Sequence, residues 1–338
     1  MPIDAEAPIP DLPNNSKLRQ QRLDGWQPIA TPKNTVATLS AIGMAFLIIG
    51  SVLVSSNGEI EETDIRYDNI QSCKENVTSG GVVCNVTLNF NEDMKNDNGP
   101  LRFSYSLSNF FQASRRYVKS RSAWQLADVP GTTSICEPLE NFDNGTKSKR
   151  LYPCGWVANS FFNDTFKGYF CPSGGQSCEI LSGSAWKQSD ISWESDRRLK
   201  FKNRDLKADE TRTGPGGFQL PNIDNEDFIV WMRVAGLPTF RKLYSTIDRS
   251  FSKGDSVVIE INSNYPVGGF DGMKKVILEE TNWMNGRNVF LGPLYLVVGC
   301  GSLLAALVFV LKQIYNPRIL GDVNLLRAEF KHRDTYPK

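Results

Sequence analysis

Histidine is almost missing from this 338-residue chain: it occurs once, at His332, close to the C-terminal end. A Ser-His-Asp or Cys-His nucleophile needs an imidazole as base, so neither can be assembled in the central part of the chain. Histidine-ligated zinc is excluded there for the same reason. Charge excess of either sign is also lacking. Lys and Arg number 38 against 37 Asp and Glu, a net charge of +1, and no nucleic-acid or other polyelectrolyte partner is implied. Gly214-Pro-Gly-Gly217 has no Lys-Ser/Thr after it and is not a phosphate-binding loop. No cofactor or metal motif is found. Carboxylates are scattered throughout, so a glycosidase-type pair stays open as a reading.

Two long uncharged runs are present. The first is Val36–Val54, and the second, Val289–Leu311, holds 23 residues without a charge. A bilayer core of about 30 Å needs about 20 apolar residues in a helix. The first run lies too far from the N-terminus, and is too long, for a cleaved signal; a signal anchor fits better. Lys17, Arg19, Arg22 and Lys33 precede it, and Glu59, Glu61, Glu62 and Asp64 follow. Lys312, Arg318, Arg327, Lys331 and Arg333 follow the second run. Basic flanks mark the cytosolic side. The expected plan is a cytosolic tail 1–35, a span 36–54, a luminal or extracellular domain 55–288, a span 289–311 and a cytosolic tail 312–338. Neither span carries an ionisable residue, which argues against a transport path through this chain alone. Small residues recur at helical spacing instead: Ala37, Ala41 and Ala45 in the first, Gly301 with Ala305 and Ser302 with Ala306 in the second. Such positions let helices approach closely.

The central block has the marks of an oxidising compartment. Cys73, Cys84, Cys136, Cys154, Cys171 and Cys178 all fall in it, while Cys300 lies in the second span. An even set in one compartment suggests disulfides, with zinc as the competing reading. Asn76, Asn85, Asn144 and Asn163 each open an N-x-Thr glycosylation sequon in the same block. Asn14-Asn-Ser16 in the first tail is expected to stay bare.

Period-two alternation predicts strands at Val82–Phe90, Leu101–Leu107 and Val257–Ile261, and Phe228–Val234 reads as a denser apolar run of the same class. In the first of these, Cys84 faces the core, where Cys73 could meet it, and Asn85 faces solvent. Helices are expected at Asn109–Ser120 and at Leu237–Thr246, with Pro238 in the first turn of the latter. Glu194–Gly217 reads as a solvated loop. Met1–Asn15 is expected to be disordered. Lys17–Pro28 mixes basic, amide and large apolar residues and is expected to dock on something. The fold class expected is two transmembrane helices flanking one large β-rich, antiparallel α+β domain stapled by disulfides.

Several runs resemble one family, the two-pass accessory (beta) subunits of the phospholipid-flipping P-type ATPases (the Cdc50/Lem3 type). They are Gln20-Gln-Arg-Leu-Asp-Gly-Trp-Gln-Pro28, Arg115-Arg-Tyr-Val-Lys-Ser-Arg121, Tyr152-Pro-Cys-Gly-Trp-Val-Ala-Asn-Ser160 running on to Phe162-Asn-Asp164, and Ala185-Trp-Lys187. Further on come Asp227-Phe-Ile-Val-Trp-Met-Arg233, Leu237-Pro-Thr-Phe-Arg-Lys-Leu-Tyr244, Asn264-Tyr-Pro-Val267 and Asn288-Val-Phe-Leu-Gly292. Asp24-Gly25 stands where the family usually has Pro-Ala, and Asn285-Gly286-Arg287 where a Gly-Gly-basic run is usual.

The resemblance implies a non-catalytic partner, without cofactor, of a catalytic alpha subunit in a one-to-one heterodimer embedded among membrane lipids. The alpha subunit would hydrolyse ATP through an Asp-Lys-Thr-Gly-Thr motif that this chain lacks, and would move phospholipid to the cytosolic leaflet. The accessory chain would support its folding, exit from the endoplasmic reticulum toward Golgi, endosome or plasma membrane, and its transport cycle. It also implies the pairs Cys73–Cys84 and Cys136–Cys154; Cys171–Cys178 rests on proximity. Candidate partner-binding residues are Gln20, Gln21, Arg22, Trp26 and Gln27 before the first span and Arg115 and Arg116 in the domain. A two-pass luminal receptor or adhesion protein is the alternative class.

Overall fold

The computed structural model describes residues 16–18, 21, 31–74, 81–143, 148–175, 177–284 and 286–317. Its strands are β1 (Glu62–Arg66), β2 (Val82–Asn89), β3 (Leu101–Leu107), β4 (Asn141–Asp143), β5 (Ser148–Leu151), β6 (Thr165–Cys171), β7 (Glu179–Ile180), β8 (Glu210–Thr211), β9 (Phe240–Ile247), β10 (Ser256–Ser263) and β11 (Lys274–Glu279). Its helices are α1 (Pro32–Gly58), α2 (Arg115–Lys119), α3 (Ala123–Leu126), α4 (Trp156–Asn159), α5 (Glu194–Leu199), α6 (Glu226–Met232) and α7 (Leu291–Tyr315). The chain divides into two compact units. One holds the two long helices, the other is Leu53–Phe290.

The β-rich unit is built on two four-stranded antiparallel sheets, ordered β1-β11-β3-β9 and β2-β10-β6-β7. Their facing sides come from the alternation visible in sequence. Cys84, Val86 and Leu88 of β2 and Val257, Ile259 and Ile261 of β10 are buried, while Asn85, Thr87 and Asn89 are exposed. Across the interface, Phe166 of β6 meets Phe103 (5.5 Å between ring centroids) and Tyr105 (6.4 Å) of β3 and Tyr244 (4.9 Å) of β9. Rings at such separations add about 0.5–1.5 kcal/mol each beyond their burial. The register between β3 and β9 slips between Phe103 and Ser104, leaving Tyr244 as the extra residue of a bulge. A bulge bends the strand and re-aims a side chain. A third, small sheet of β4, β5 and β8 covers a satellite cluster of Leu151 and the Cys136–Cys154 bond.

Three elements differ from the sequence reading. Leu237–Thr246 is not a helix: from Phe240 it is β9, because those residues have β3 to pair with and present Phe240 and Tyr244 to the core. Phe228–Val234 is not strand-like. Its first five residues, Phe228–Met232, fall in α6, where Phe228, Ile229, Trp231 and Met232 are buried at helical spacing and Asn225 caps the first turn by accepting from the Phe228 N–H at 3.1 Å. The helix expected at Asn109–Ser120 shrinks to Arg115–Lys119, since Asn109 takes a positive φ of 57°.

Glu194–Gly217 is poor in long elements, yet it is pinned rather than solvated throughout. Arg204 holds Glu210 with two bonds of 2.8 Å and lies 4.1 Å from the Tyr152 ring centroid, and Asp196 is buried between Lys200 and Arg233. Three disulfides join Cys73 to Cys84, Cys136 to Cys154 and Cys171 to Cys178; Cys300 is a free, exposed thiol. The Cys136–Cys154 loop, of 18 residues, is worth about 3 kcal/mol in the chain-entropy account.

Candidate partner-binding surface and sequon pocket

The long helices are long and apolar enough to cross a membrane, at 27 and 25 residues. Within their unit, the close contacts are made by glycines and not by the alanine set. A Cβ on Gly43 would lie 2.7 Å from the Leu303 side chain, one on Gly50 2.9 Å from Leu296, and one on Gly299 3.1 Å from Leu47 and from the Gly43 carbonyl. Phe46 and Tyr295 add a ring pair at 5.1 Å. Ala37, Ala41 and Ala45 lie on an exposed face of α1, Gly301 is exposed on α7, and Ala306 is buried. The signal for the helix pair was thus Gly43-x₆-Gly50 opposite Gly299, each glycine allowing backbone approach.

In the β-rich unit, the basic run is divided by the fold. Arg115, Arg116 and Lys119 are exposed on α2. Arg121 instead donates from Nη1 to the Met232 carbonyl at 3.0 Å, tying this segment to the end of α6. Beside it runs a groove of about 830 Å³, lined among others by Arg121, Trp124, Leu126, Leu199, Met232 and Arg233. Trp124 is 53% exposed and Leu199 72%. Trp193, also exposed, carries the Arg233 guanidinium 3.6 Å from its ring centroid. Large apolar side chains grouped in a concave surface with a cationic rim have the composition of an interaction surface. Trp124, Trp193 and Leu199 escaped sequence reasoning because Trp124 lies in α3 and the other two at the ends of α5, short helices far apart in the chain. Gln21 is described, but Gln20, Arg22, Trp26 and Gln27 lie outside the described residues.

Asn85 is exposed on β2, whereas Asn163 is half-buried; Asn76 and Asn144 lie outside the described residues. Asn163 lines a cavity of about 340 Å³ with Tyr105, Phe161, Phe162, Asp164, Phe218, Asn225, Asp227 and Tyr244 among its walls. Asp164, the middle residue of that sequon, is fully engaged. Its Oδ2 accepts from the Tyr67 hydroxyl (2.6 Å) and Lys274 Nζ (2.9 Å), its Oδ1 from the N–H groups of Asn264 (2.5 Å) and Tyr265 (2.6 Å). Asp164 therefore has no free oxygen to act as a catalytic carboxylate. Asp227 is the opposite case: burial, with help from neighbouring Glu226, pushes its carboxyl up to about 7, and its enclosed Oδ1 has no hydrogen-bond partner among the described residues. Burial also acts to raise Glu226. The N–H groups of Ser192 and Asp190, the Ser192 hydroxyl and Arg197 outweigh it and hold Glu226 below the usual carboxylate range.

A β-rich domain with three disulfides, flanked by two apolar helices near the chain's ends, defines the class: a membrane protein with one large folded domain between its spans. Comparison with known proteins identifies the family. Residues 41–319 match the LEM3 (ligand-effect modulator 3) family / CDC50 family, and the chain belongs to it. It is 34% identical to ALA-interacting subunit 3 of Arabidopsis thaliana, covering 93% of this chain and 90% of that one. It is 35% identical to cell cycle control protein 50A of Bos taurus, over 88% of each, and 32% identical to cell cycle control protein 50B of Homo sapiens, over 90% of this chain and 93% of that one.

Proposed function

We propose that this chain is the non-catalytic accessory subunit of a phospholipid-flipping P-type ATPase, bound to the catalytic alpha subunit as a one-to-one heterodimer. The observation that carries this reading is family membership over most of the chain, with a relative named as a subunit for its interaction with ALA proteins. In this reading α1 and α7 cross the membrane, 1–35 and 312–338 are cytosolic, and 55–288 is luminal or extracellular with glycans at Asn76, Asn85, Asn144 and Asn163. Its role is to bring the pump through folding and exit from the endoplasmic reticulum and to support movement of phospholipid to the cytosolic leaflet.

Three surfaces would share the contact. The exposed Ala37, Ala41 and Ala45 face would pack on the pump's helices. The groove at Trp124 and Leu199, lined also by the cations Arg121, Lys200 and Arg233, and the exposed Arg115, Arg116 and Lys119 of α2 would receive acidic loops on the luminal side. Gln20, Gln21, Arg22, Trp26 and Gln27 would lie on the pump's cytosolic face, with Trp and Arg as the residue types most often found at interface hot spots. Purification of the tagged chain from native membranes in mild detergent tests the reading: a P-type ATPase in stoichiometric amount is expected. Recovery of the folded chain without one favours a receptor or adhesion role.

A further inference from the structure

We propose that the first sugar of an Asn163-linked glycan folds back into the cavity beside Asn163, which is a built seat for that N-acetylglucosamine. The inference rests on the proposed glycosylation of Asn163 and goes beyond it, from an attachment point to a binding site.

Two enclosed acceptors face the case for an occupant. Asn163 Oδ1 and Asp227 Oδ1 both have no hydrogen-bond partner among the described residues. Leaving such a group unsatisfied costs about 1–3 kcal/mol, so the occupant should bring N–H or O–H donors. The walls are aromatic: Phe161 and Phe218 are stacked with centroids 6.4 Å apart, and Tyr105, Phe162 and Tyr244 complete the lining. Water would satisfy the acceptors but leave those rings wet. A pyranose has both characters, an apolar C–H face and a rim of hydroxyls, and its acetamide adds an N–H. At about 340 Å³ the cavity is near the lower bound, about 300 Å³, of small-molecule pockets, which suits one ring and not an oligosaccharide.

Covalent attachment at the lip supplies the sugar at high effective concentration. The attachment point is also held still. Four donors fix Asp164, the next residue, and Asn264 Nδ2 donates to the Asn163 carbonyl at 3.2 Å. Thr165, the third sequon residue, is exposed and begins β6. Asn85 gives an internal contrast, since it stands on the exposed face of β2.

The test uses the full chain from eukaryotic cells in mild detergent, treated with peptide-N-glycosidase before and after denaturation, with occupancy read site by site on peptides. Before denaturation the Asn85 glycan is released and the Asn163 glycan is retained; after it both are released. Phe218→Ala accelerates native release at Asn163 by roughly tenfold or more, corresponding to about 1.4 kcal/mol, without changing Asn85. Hydroxyl-radical footprinting gives a readout independent of that variant: Phe161 and Phe218 are protected in the glycosylated chain and oxidised in Thr165→Ala. Equal native release at the two sites, or identical labelling with and without the sequon, overturns the seat. An unmodified Asn163 peptide from the denatured chain overturns the glycosylation beneath it as well, and the peptide map distinguishes the two failures.

Discussion

The buried pair Asp164–Lys274 bolts one sheet to the other, and its removal has a calculable asymmetry. Both side chains are 0% exposed. Lys274 belongs to β11 in one sheet; Asp164 immediately precedes β6 in the other. Beyond the ion pair, Lys274 Nζ donates to Ser263 Oγ and the Tyr265 carbonyl, each at 2.8 Å. Breaking a buried pair by removing one partner costs about 3–5 kcal/mol. Lys274→Met leaves Asp164 with three donors, from Tyr67, Asn264 and Tyr265, so its cost should be near the lower end, about 3 kcal/mol. Asp164→Asn keeps the shape and the sequon but turns an N–H toward groups that are themselves donors, so it should cost about 5 kcal/mol. The double substitution removes both misplaced charges and should cost about 2–3 kcal/mol less than the sum. Denaturant unfolding of the full chain in detergent, followed by the fluorescence of buried Trp231 and the other tryptophans, measures all four corners. Either single substitution costing under about 1 kcal/mol, or additivity within about 0.5 kcal/mol, refutes the bolt.

Asp227 sets a pH dependence. Its folded carboxyl titrates near 7 against an ordinary 3.8, so between these values the folded state holds a proton the unfolded state has lost, and stability falls as pH rises from about 4 to 7. The full shift is worth about 4 kcal/mol, an upper bound because the residue is only partly enclosed; in a Thr165→Ala background, Asp227→Asn should flatten the slope measured by unfolding across that range. At the groove, Trp124→Ser with Leu199→Asp should leave unfolding within about 0.5 kcal/mol of the parent, since both side chains are exposed. The same pair should weaken pump association by about 2 kcal/mol or more, read by co-purification against salt. Arg22→Ala with Trp26→Ala should lower pump recovery and ATPase activity while disulfides and glycans form normally, as judged by gel mobility under non-reducing conditions and after deglycosylation.

Much of the β framework was legible because apolar residues alternate with polar ones along its strands, even in β3, where Ser104 and Ser106 are buried too. Val82–Phe90, Leu101–Leu107 and Val257–Ile261 all read correctly from a period of two, and both long helices from length and absence of charge. Phe240–Ile247 failed because Leu237, Phe240 and Tyr244 also fit helical spacing, and only pairing with β3, bulge included, decides between the two. Phe228–Val234 failed because a helix of seven residues buried on most sides looks like a core strand; the Asn225 cap was the available signal. The groove and the Asn163 cavity were not legible at all. Trp124, Leu199 and Arg233, like Asn163, Phe218 and Asp227, are distant in sequence and meet only through the fold. Nothing local distinguishes Asp227 from the chain's other carboxylates, whereas its enclosure without a donor does.

The central claim is that this family member works as one half of a lipid-moving pump. Its most direct measurement is phospholipid uptake into the cytosolic leaflet, with the co-purifying ATPase quantified, in cells depleted of the chain and then supplied with it. The account predicts that uptake and a stoichiometric P-type ATPase are both lost on depletion and both restored by the full chain. Unchanged lipid uptake, or recovery of the folded, disulfide-bonded chain with no such ATPase, contradicts it.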